Sequence, residues 1–208
     1  MSDTGEARES PPELDELGAR LRAERDRIGL SQRELARRVG LSASLISQIE
    51  TGQSKPSVGT LYAVVTELGI SIDSLFRDDQ EVAAPSVAPL GTAHPVHPGE
   101  RPHIDLGSGV HWERLTGEHE VGVDFLRVLY EPGGASTPDG SLMRHAGREY
   151  GIVLSGRLTV QLGFERHELA PGDSIAFDST LPHRFANTSE TPVEGIWFVV
   201  GRDGGPGG

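Results

Sequence analysis

Four short side chains on one predicted helix have the chemistry to contact the edges of DNA bases. The apolar residues Leu45, Ile46 and Ile49 recur at helical spacing and form one buried stripe. The residues left on the outward face are small or polar: Ala43, Ser44, Ser47 and Gln48. An amide such as that of Gln48 can pair bidentately with adenine, and a methyl group such as that of Ala43 can contact thymine. This face therefore favours insertion into a major groove.

Two short helices joined by a tight turn are predicted for residues 31–50 and would hold this face in place. Leu35 and Val39 fall four residues apart, on the same face as the neighbouring alanine. Gly40 follows at a position where the backbone must adopt positive φ, which glycine does freely. Ser42 supplies a side-chain oxygen that caps the second helix. We call this second helix the recognition helix.

Further DNA contacts are expected from residues around the recognition helix. Gln32 lies at a helix N-terminus and is expected to touch a phosphate. Ser42 and Ser44 begin the recognition helix and are expected to face bases or phosphates. Clustered basic side chains would supply further phosphate partners: Arg37, Arg38 and Lys55.

The segment resembles the helix-turn-helix of the Cro/C1 (XRE) repressor family. The positions that carry the likeness are Gln32 at the helix start, Ala36 and Gly40 at small-residue positions, Ile46 and Ile49 at apolar positions, and the run 49–52 that closes the recognition helix. The likeness covers roughly residues 14–76. It implies an all-α DNA-binding domain whose partner is double-stranded operator DNA.

Five helices are predicted in this domain, to which we assign residues 14–77. Arg25 lies on the apolar face of the first helix and needs a partner there, for which Glu50 is suited. The XRE resemblance implies the same pair. Ser71 would cap a short fifth helix. The apolar face of the first helix is predicted to consist of Leu14, Leu17, Leu21 and Ile28.

Composition excludes several classes of site. The 208 residues include no cysteine, so disulfides and thiolate ligands are absent. No apolar run approaches the ~20 residues of a membrane span, and the acidic start is unlike a signal peptide, so we expect a soluble cytoplasmic protein. Residues 14–77 hold nine Lys/Arg against eight Asp/Glu, a charge of +1, which leaves −13 for the rest of a chain whose total is −12. The predicted DNA-binding domain is thus close to neutral, although the whole chain is acidic.

The remaining residues divide into two flexible ends, a linker and a β domain. Residues 1–13 are polar and are predicted to be disordered, and residues 203–208 are a glycine-rich tail. Residues 78–102 are rich in proline and are predicted to be a linker. Residues 103–202 contain short alternating runs separated by glycine turns, which indicates an all-β sandwich or small barrel. The runs are 121–130, 150–154, 158–162, 174–177 and 195–200.

Two motifs in the β domain resemble those of the cupin fold, a double-stranded β-helix or small jelly-roll barrel. The first has the pattern H-x3-E-x6-G, and the second has a glycine, ten residues and H-x3-N. The residues concerned are His145, Glu149 and Gly156, then Gly172, His183 and Asn187. This sequence departs from the cupin pattern at Met143, where a further histidine is usual, and at Asp178 and Thr180.

The cupin resemblance implies a divalent metal held by His145, Glu149 and His183. Two imidazoles and one carboxylate suit Fe, Mn, Ni or Zn. The alternative is a metal-free cupin whose polar residues bind a small ligand or one another. Strand alternation places further side chains on inward faces, as core or as walls of an effector pocket: Val153, Phe177 and Phe185.

Three functions follow from this domain order. The first is a transcriptional regulator that is a homodimer, binds a palindromic operator with its recognition helices ~34 Å apart, and senses a small-molecule effector in the cupin domain. The second is a mononuclear non-haem iron enzyme, because the HAGRE sequence at 145–149 resembles that of hydroxypropylphosphonate epoxidase. In that enzyme the helical domain lends a lysine to the active site, where this sequence has Gly29. The third is a DNA-binding module whose cupin serves only for dimerisation.

Overall fold

The helical domain comes first in a chain whose computed structural model describes residues 14–76, 95–117, 120 and 122–201. The predicted disordered start, residues 78–94 of the predicted linker and the predicted tail lie outside these residues. Within them the domain contains four α-helices and a 3-10 turn: α1 (Leu14–Arg27), α2 (Gln32–Val39), α3 (Ala43–Glu50), α4 (Val58–Leu68) and the turn Asp73–Phe76. No described helix is long and apolar enough to cross a membrane.

Serine caps begin three of these helices. The side chains of Ser31, Ser42 and Ser57 each accept a hydrogen bond from the backbone N–H three residues later, at 3.1–3.2 Å. Gly40 ends α2 in the left-handed region at φ 73°. The predicted helix–turn–helix is therefore confirmed, with α3 as the recognition helix.

Two helix predictions were wrong. The expected fifth helix is only the 3-10 turn at Asp73–Phe76, which Ser71 caps. Four residues provide only i→i+3 bonds, such as Leu75 N–H to Ile72 O at 2.9 Å. Ile28 is 39% exposed because α1 ends at Arg27, so the helical period no longer determines where its side chain points.

The cupin domain consists of two antiparallel sheets. Its strands are β1 (His103–Leu106), β2 (Val110–Arg114), β3 (Val123–Tyr130), β4 (Arg148–Ser155), β5 (Leu158–Leu162), β6 (Glu165–Leu169), β7 (Ser174–Asp178), β8 (His183–Ala186) and β9 (Val193–Val200). The large sheet has the order β1-β2-β3-β9-β4-β7 and the small sheet has the order β6-β5-β8. Phe185 of the small sheet meets Trp197 of the large sheet with ring centroids 5.1 Å apart, so the core lies between the sheets. The predicted all-β fold is confirmed.

Four strands were not among the alternating runs in the sequence. They are β1, β2, β6 and β8, each four or five residues long. β6 reads ERHEL, and only its last residue is buried. Hydrogen bonding to β5 thus determines this strand, because its own pattern of apolar residues is too weak.

The helical domain docks directly onto the cupin domain. The backbone N–H of Gly59, in the first turn of α4, donates to Ser136 O at 3.0 Å. The N–H of Gly107 donates to Pro56 O at 2.8 Å. A Cβ atom at Gly59 would lie 2.7 Å from Thr137 Cγ2, so glycine allows this close approach without a shift of the Thr137 side chain or of α4. The predicted linker did not imply that the two domains contact each other directly.

Candidate functional site

The predicted outward face of α3 is partly exposed. Ser44 and Gln48 are exposed, and Ser47 is half-buried. Ser42 uses its hydroxyl to cap α3, which leaves less of it for DNA. Ala43 is also half-buried and packs partly against the core, and its contact with thymine stays a prediction. The face that remains for base contacts is centred on Ser44 and Gln48.

A buried network fixes the end of the recognition helix. Arg25 donates from Nε to Glu50 Oε1 at 2.5 Å and from Nη2 to Oε2 at 2.9 Å. The predicted pair between α1 and α3 is therefore confirmed. Gln32 also donates to Glu50 Oε2, at 2.7 Å. The amide nitrogen of Gln32 thus holds the recognition helix, and a phosphate contact would have to come from its backbone N–H and remaining amide atoms.

The expected phosphate partners are all paired with carboxylates. Arg37 and Arg38 both bind Glu34, and Arg38 also binds Glu67 at 2.8 Å. These hydrogen bonds lower the pKa of Glu34 to about 2. Both arginines lie on the surface and can exchange these partners for phosphates. Lys55 instead reaches Asp105 of the cupin domain at 3.2 Å, so the structure places it at the domain interface.

The cupin motifs bring three buried side chains to one point inside the domain. His145 precedes β4, Glu149 lies on β4, and His183 begins β8. Glu149 Oε1 lies 2.9 Å from His145 Nε2 and 3.1 Å from His183 Nε2. The exposures are 6% for His145, 2% for Glu149 and 0% for His183. Donor atoms of all three lie within 4.8 Å of one another, which suits a single metal ion.

The other ring nitrogens of these histidines determine what the cluster can bind. His145 Nδ1 faces Ala146 O at 3.0 Å, and His183 Nδ1 faces Leu181 O at 2.8 Å. A carbonyl oxygen can only accept, so each Nδ1 carries the proton. The Nε2 atom of each imidazole is therefore turned toward the Glu149 carboxylate, 2.9 Å away for His145 and 3.1 Å for His183. All three atoms are buried, and among the described side chains they face one another and no further polar group.

Positive charge placed among these three atoms would satisfy all of them. Extra protons on the imidazoles or a divalent cation would supply this charge. A histidine that binds a metal through one nitrogen ordinarily donates its other N–H to a carbonyl or carboxylate oxygen, as both Nδ1 atoms do here. Burial raises the pKa of Glu149, but the two imidazoles lower it to about 2. Glu149 is therefore an ionised carboxylate at neutral pH. The residues present fit a divalent metal.

Known protein families match both domains of the chain. A helix-turn-helix family model matches residues 21–75, and a cupin domain model matches residues 126–199. HTH-type transcriptional regulator PuuR of Escherichia coli (strain K12) is 30% identical over 174 residues, which cover 83% of this chain and 88% of PuuR. The chain belongs to the XRE-type transcriptional regulators with a cupin domain. HTH-type transcriptional regulator SutR of the same organism is 26% identical, over 85% of this regulator and 90% of SutR.

One solved structure in particular shows the same fold. An HTH_3 family transcriptional regulator from Vibrio cholerae superposes with a TM-score of 0.64 and 23% identity, over 90% of this regulator and 96% of that chain. Hydroxypropylphosphonic acid epoxidase from S. wedmorenis superposes with a TM-score of only 0.45 at 20% identity. That likeness does not argue for the enzyme alternative, whereas the curated relatives are regulators.

The sequence did not predict two residues of the regulator that support Glu149. Trp197 Nε1–H donates to Glu149 Oε2 at 2.8 Å, which leaves Oε1 for the imidazoles. The Trp197 ring lies over Gly151, where a Cβ atom would be 2.5 Å from ring carbons. Gly151 and Trp197 are opposite each other in the β4–β9 pairing. Only the strand register could have revealed this contact.

The three predicted pocket residues of the regulator are buried around the cluster or next to it. The Phe177 and Phe185 rings lie 5.1 and 5.6 Å from the His183 ring. Val153 is fully buried on the Glu149 face of β4. Tyr130 was not predicted, yet burial and the charge of Glu149 both raise the pKa of its phenol. Tyr130 therefore stays protonated inside the domain.

Proposed function

We propose that this regulator binds a palindromic operator as a homodimer and senses a small-molecule effector through a divalent metal in its cupin domain. The observation that carries the proposal is that buried ligand atoms of His145, Glu149 and His183 converge within 4.8 Å of one another. Two imidazoles and one carboxylate that meet at one buried point form the kind of ligand set that suits a divalent metal. Occupancy of this site would then regulate DNA binding by the helix-turn-helix.

The DNA-binding half of the proposal depends on a rigid recognition helix. Ser44 and Gln48 are exposed on α3, while Arg25 and Gln32 fix its last residue, Glu50. A fixed helix can present Gln48 to one base pair in a defined geometry, which bidentate pairing with adenine requires.

Gln48→Ala is expected to weaken binding to the cognate operator by about 1–3 kcal/mol and to relax base preference at one position of each half-site. The measurement is fluorescence anisotropy with the operator and with single-base variants. Arg37→Ala serves as the comparison, because a phosphate contact should weaken all sequences alike and lower the salt slope by about one. Unchanged base preference in Gln48→Ala contradicts the assignment of this face.

The metal half of the proposal assigns a role to each side chain of the cluster. His145, Glu149 and His183 would hold the ion, and the bound ion would supply positive charge and open positions for an anionic or polar effector. Trp197 fixes the carboxylate of Glu149. Phe177 would form part of an apolar wall that limits water in the pocket.

Two measurements test the proposal as a whole. Native mass spectrometry of protein purified without chelators should show a dimer with one metal per chain and any retained ligand. Selection of genomic DNA fragments by the purified regulator should enrich a defined palindrome. Metal-free protein that also enriches no palindrome contradicts the proposal.

The proposed dimer would form through the outer face of the large sheet. Tyr150, Ile152 and Leu154 alternate along β4 and are 42, 38 and 47% exposed. Phe198 and Ile196 of β9 lie opposite Tyr150 and Ile152, so the strip is two strands wide. Apolar surface of this kind is typical of subunit interfaces. A second copy is the occupant we propose, because a single recognition helix reads few base pairs alone.

Ile152→Asp is expected to convert the dimer to a monomer at micromolar concentration, because the carboxylate would be buried without a partner. The measurement is sedimentation velocity of the full chain. Phe164→Asp is the matched control, since Phe164 is fully exposed and lies outside the described strands. A wild-type monomer, or a dimer that survives Ile152→Asp, contradicts this interface.

A further inference from the structure

Tyr62 of the DNA-binding domain lies against the His–Glu–His cluster of the cupin domain. The Tyr62 and His145 rings are stacked, with centroids 4.0 Å apart and planes 3° from parallel. Tyr62 also meets Trp112 of β2 edge-on at 5.9 Å. Tyr62 is buried, as is His145. One side of the proposed metal site is thus built by a helix of the other domain.

The helix that carries Tyr62 belongs to both domains. Leu61, Val65 and Leu68 of α4 are buried in the core, where α4 packs against α1 and α2. Gly59 and Tyr62 instead face the cupin domain, where Gly59 N–H donates to Ser136 O. A movement of Tyr62 is therefore a movement of α4, and α4 is packed against the elements that hold the recognition helix.

A buried ion pair supports the same interface at a second point. Arg114 Nη1 of β2 lies 3.7 Å from Asp73 Oδ1 in the 3-10 turn, and both side chains are only 3% exposed. The backbone bond from Gly107 N–H to Pro56 O adds a third point. The two domains are thus held as packed bodies, so a change at Tyr62 can tilt one against the other.

We infer that Tyr62 transmits the occupancy of the cluster to the DNA-binding domain. A cation bound at His145 Nε2 draws electron density from the imidazole, and an electron-rich phenol stacks more strongly on an electron-poor ring. Occupancy therefore tightens the docking of α4 on the cupin domain. In a dimer this fixes the separation of the two recognition helices, which operator binding requires.

The inference rests on the proposed metal site, and the metal alone is the probe that tests it. Hydrogen exchange of the full chain is measured with and without Zn(II), with metal affinity measured by calorimetry. In the wild type, Zn(II) is expected to slow exchange of the α4 peptide 58–68. The factor expected is roughly 5–150, the range of ordinary allosteric couplings. Tyr62→Phe keeps the ring and is expected to keep the effect.

Tyr62→Leu is expected to bind Zn(II) but to lose the slowing of α4, because it keeps apolar bulk without an aromatic face. Phe76→Leu is the matched control, since it makes a similar change at a buried aromatic residue of the same domain. If the wild type binds Zn(II) while α4 is unaffected, or if Tyr62→Leu behaves as the wild type, this inference is overturned and the metal site stands. If the wild type binds no divalent metal, both fail.

Discussion

Replacing Glu149 with alanine is expected to abolish metal binding by the regulator while its metal-free affinity for operator DNA is kept. The variant removes the only carboxylate of the cluster, and with it the oxygen that both His145 and His183 face at 2.9 and 3.1 Å. The loss in affinity should exceed the roughly 10–100-fold that the loss of an outer partner costs. Metal analysis of dialysed protein and calorimetry with Zn(II), Mn(II) and Ni(II) provide the measurement.

Three further variants make this test specific. Glu165→Ala removes an exposed carboxylate beside His167, at 3.5 Å, and should leave metal content unchanged. Trp197→Phe removes the donor to Glu149 Oε2 and should give an intermediate loss of about 10–100-fold. In the wild type, metal at 100 times its Kd should stabilise the cupin domain by about 2.7 kcal/mol, and Glu149→Ala should lose this stabilisation. Retention of metal by Glu149→Ala contradicts the assigned ligand set.

Arg25→Ala is expected to destabilise the helical domain by about 3–5 kcal/mol, because it leaves Glu50 buried beside α1 without its cation. Arg25 and Glu50 are both 6% exposed, so water cannot replace the lost hydrogen bonds. Gln32 still donates to Glu50, which places the expected loss toward the lower end of this range. Urea unfolding followed by circular dichroism at 222 nm measures the effect, since both tryptophans lie in the cupin domain.

Arg27→Ala is the control for this prediction. Arg27 lies two residues further along α1, is exposed, and pairs with Glu24 at 2.6 Å. An exposed pair of this kind contributes ~0–1 kcal/mol. Equal losses in Arg25→Ala and Arg27→Ala contradict a structural role for the buried pair. In the double variant Arg25→Met with Glu50→Gln, much of the stability should return, because no unpaired charge remains.

Local residue patterns predicted the parts of the site that lie close together in the chain. The caps at Ser31 and Ser42, the turn at Gly40 and the spacing of His145 and Glu149 are all determined within a few residues. Cap and turn chemistry acts on neighbouring backbone groups, so the sequence alone was sufficient for the helix–turn–helix. The pair of Arg25 and Glu50 was also accessible, because a charge on an apolar face requires a partner.

Contacts between distant parts of the chain could not be predicted in this way. The bond from Trp197 to Glu149 depends on the register of β4 and β9, and a shift by one residue would turn Trp197 to the other face. The pairs of Arg38 with Glu67 and of Lys55 with Asp105 join residues 29 and 50 positions apart, and no helical or strand period encodes them. The position of Ile28 was missed because the helix ended one residue before it.

The close approach of α4 to the cupin domain limits how such regulators can be recombined. A Cβ atom at Gly59 would lie only 2.7 Å from Thr137 Cγ2, so any larger residue would require either the Thr137 side chain or α4 to move. A chimera that joins this cupin domain to a foreign DNA-binding domain at residues 78–94 would lose that fit unless the new helix also had glycine at this position. The cupin domain and the surface of α4 that contacts it should therefore be kept together in such chimeras. Operator specificity is better changed by substitutions on the exposed face of α3.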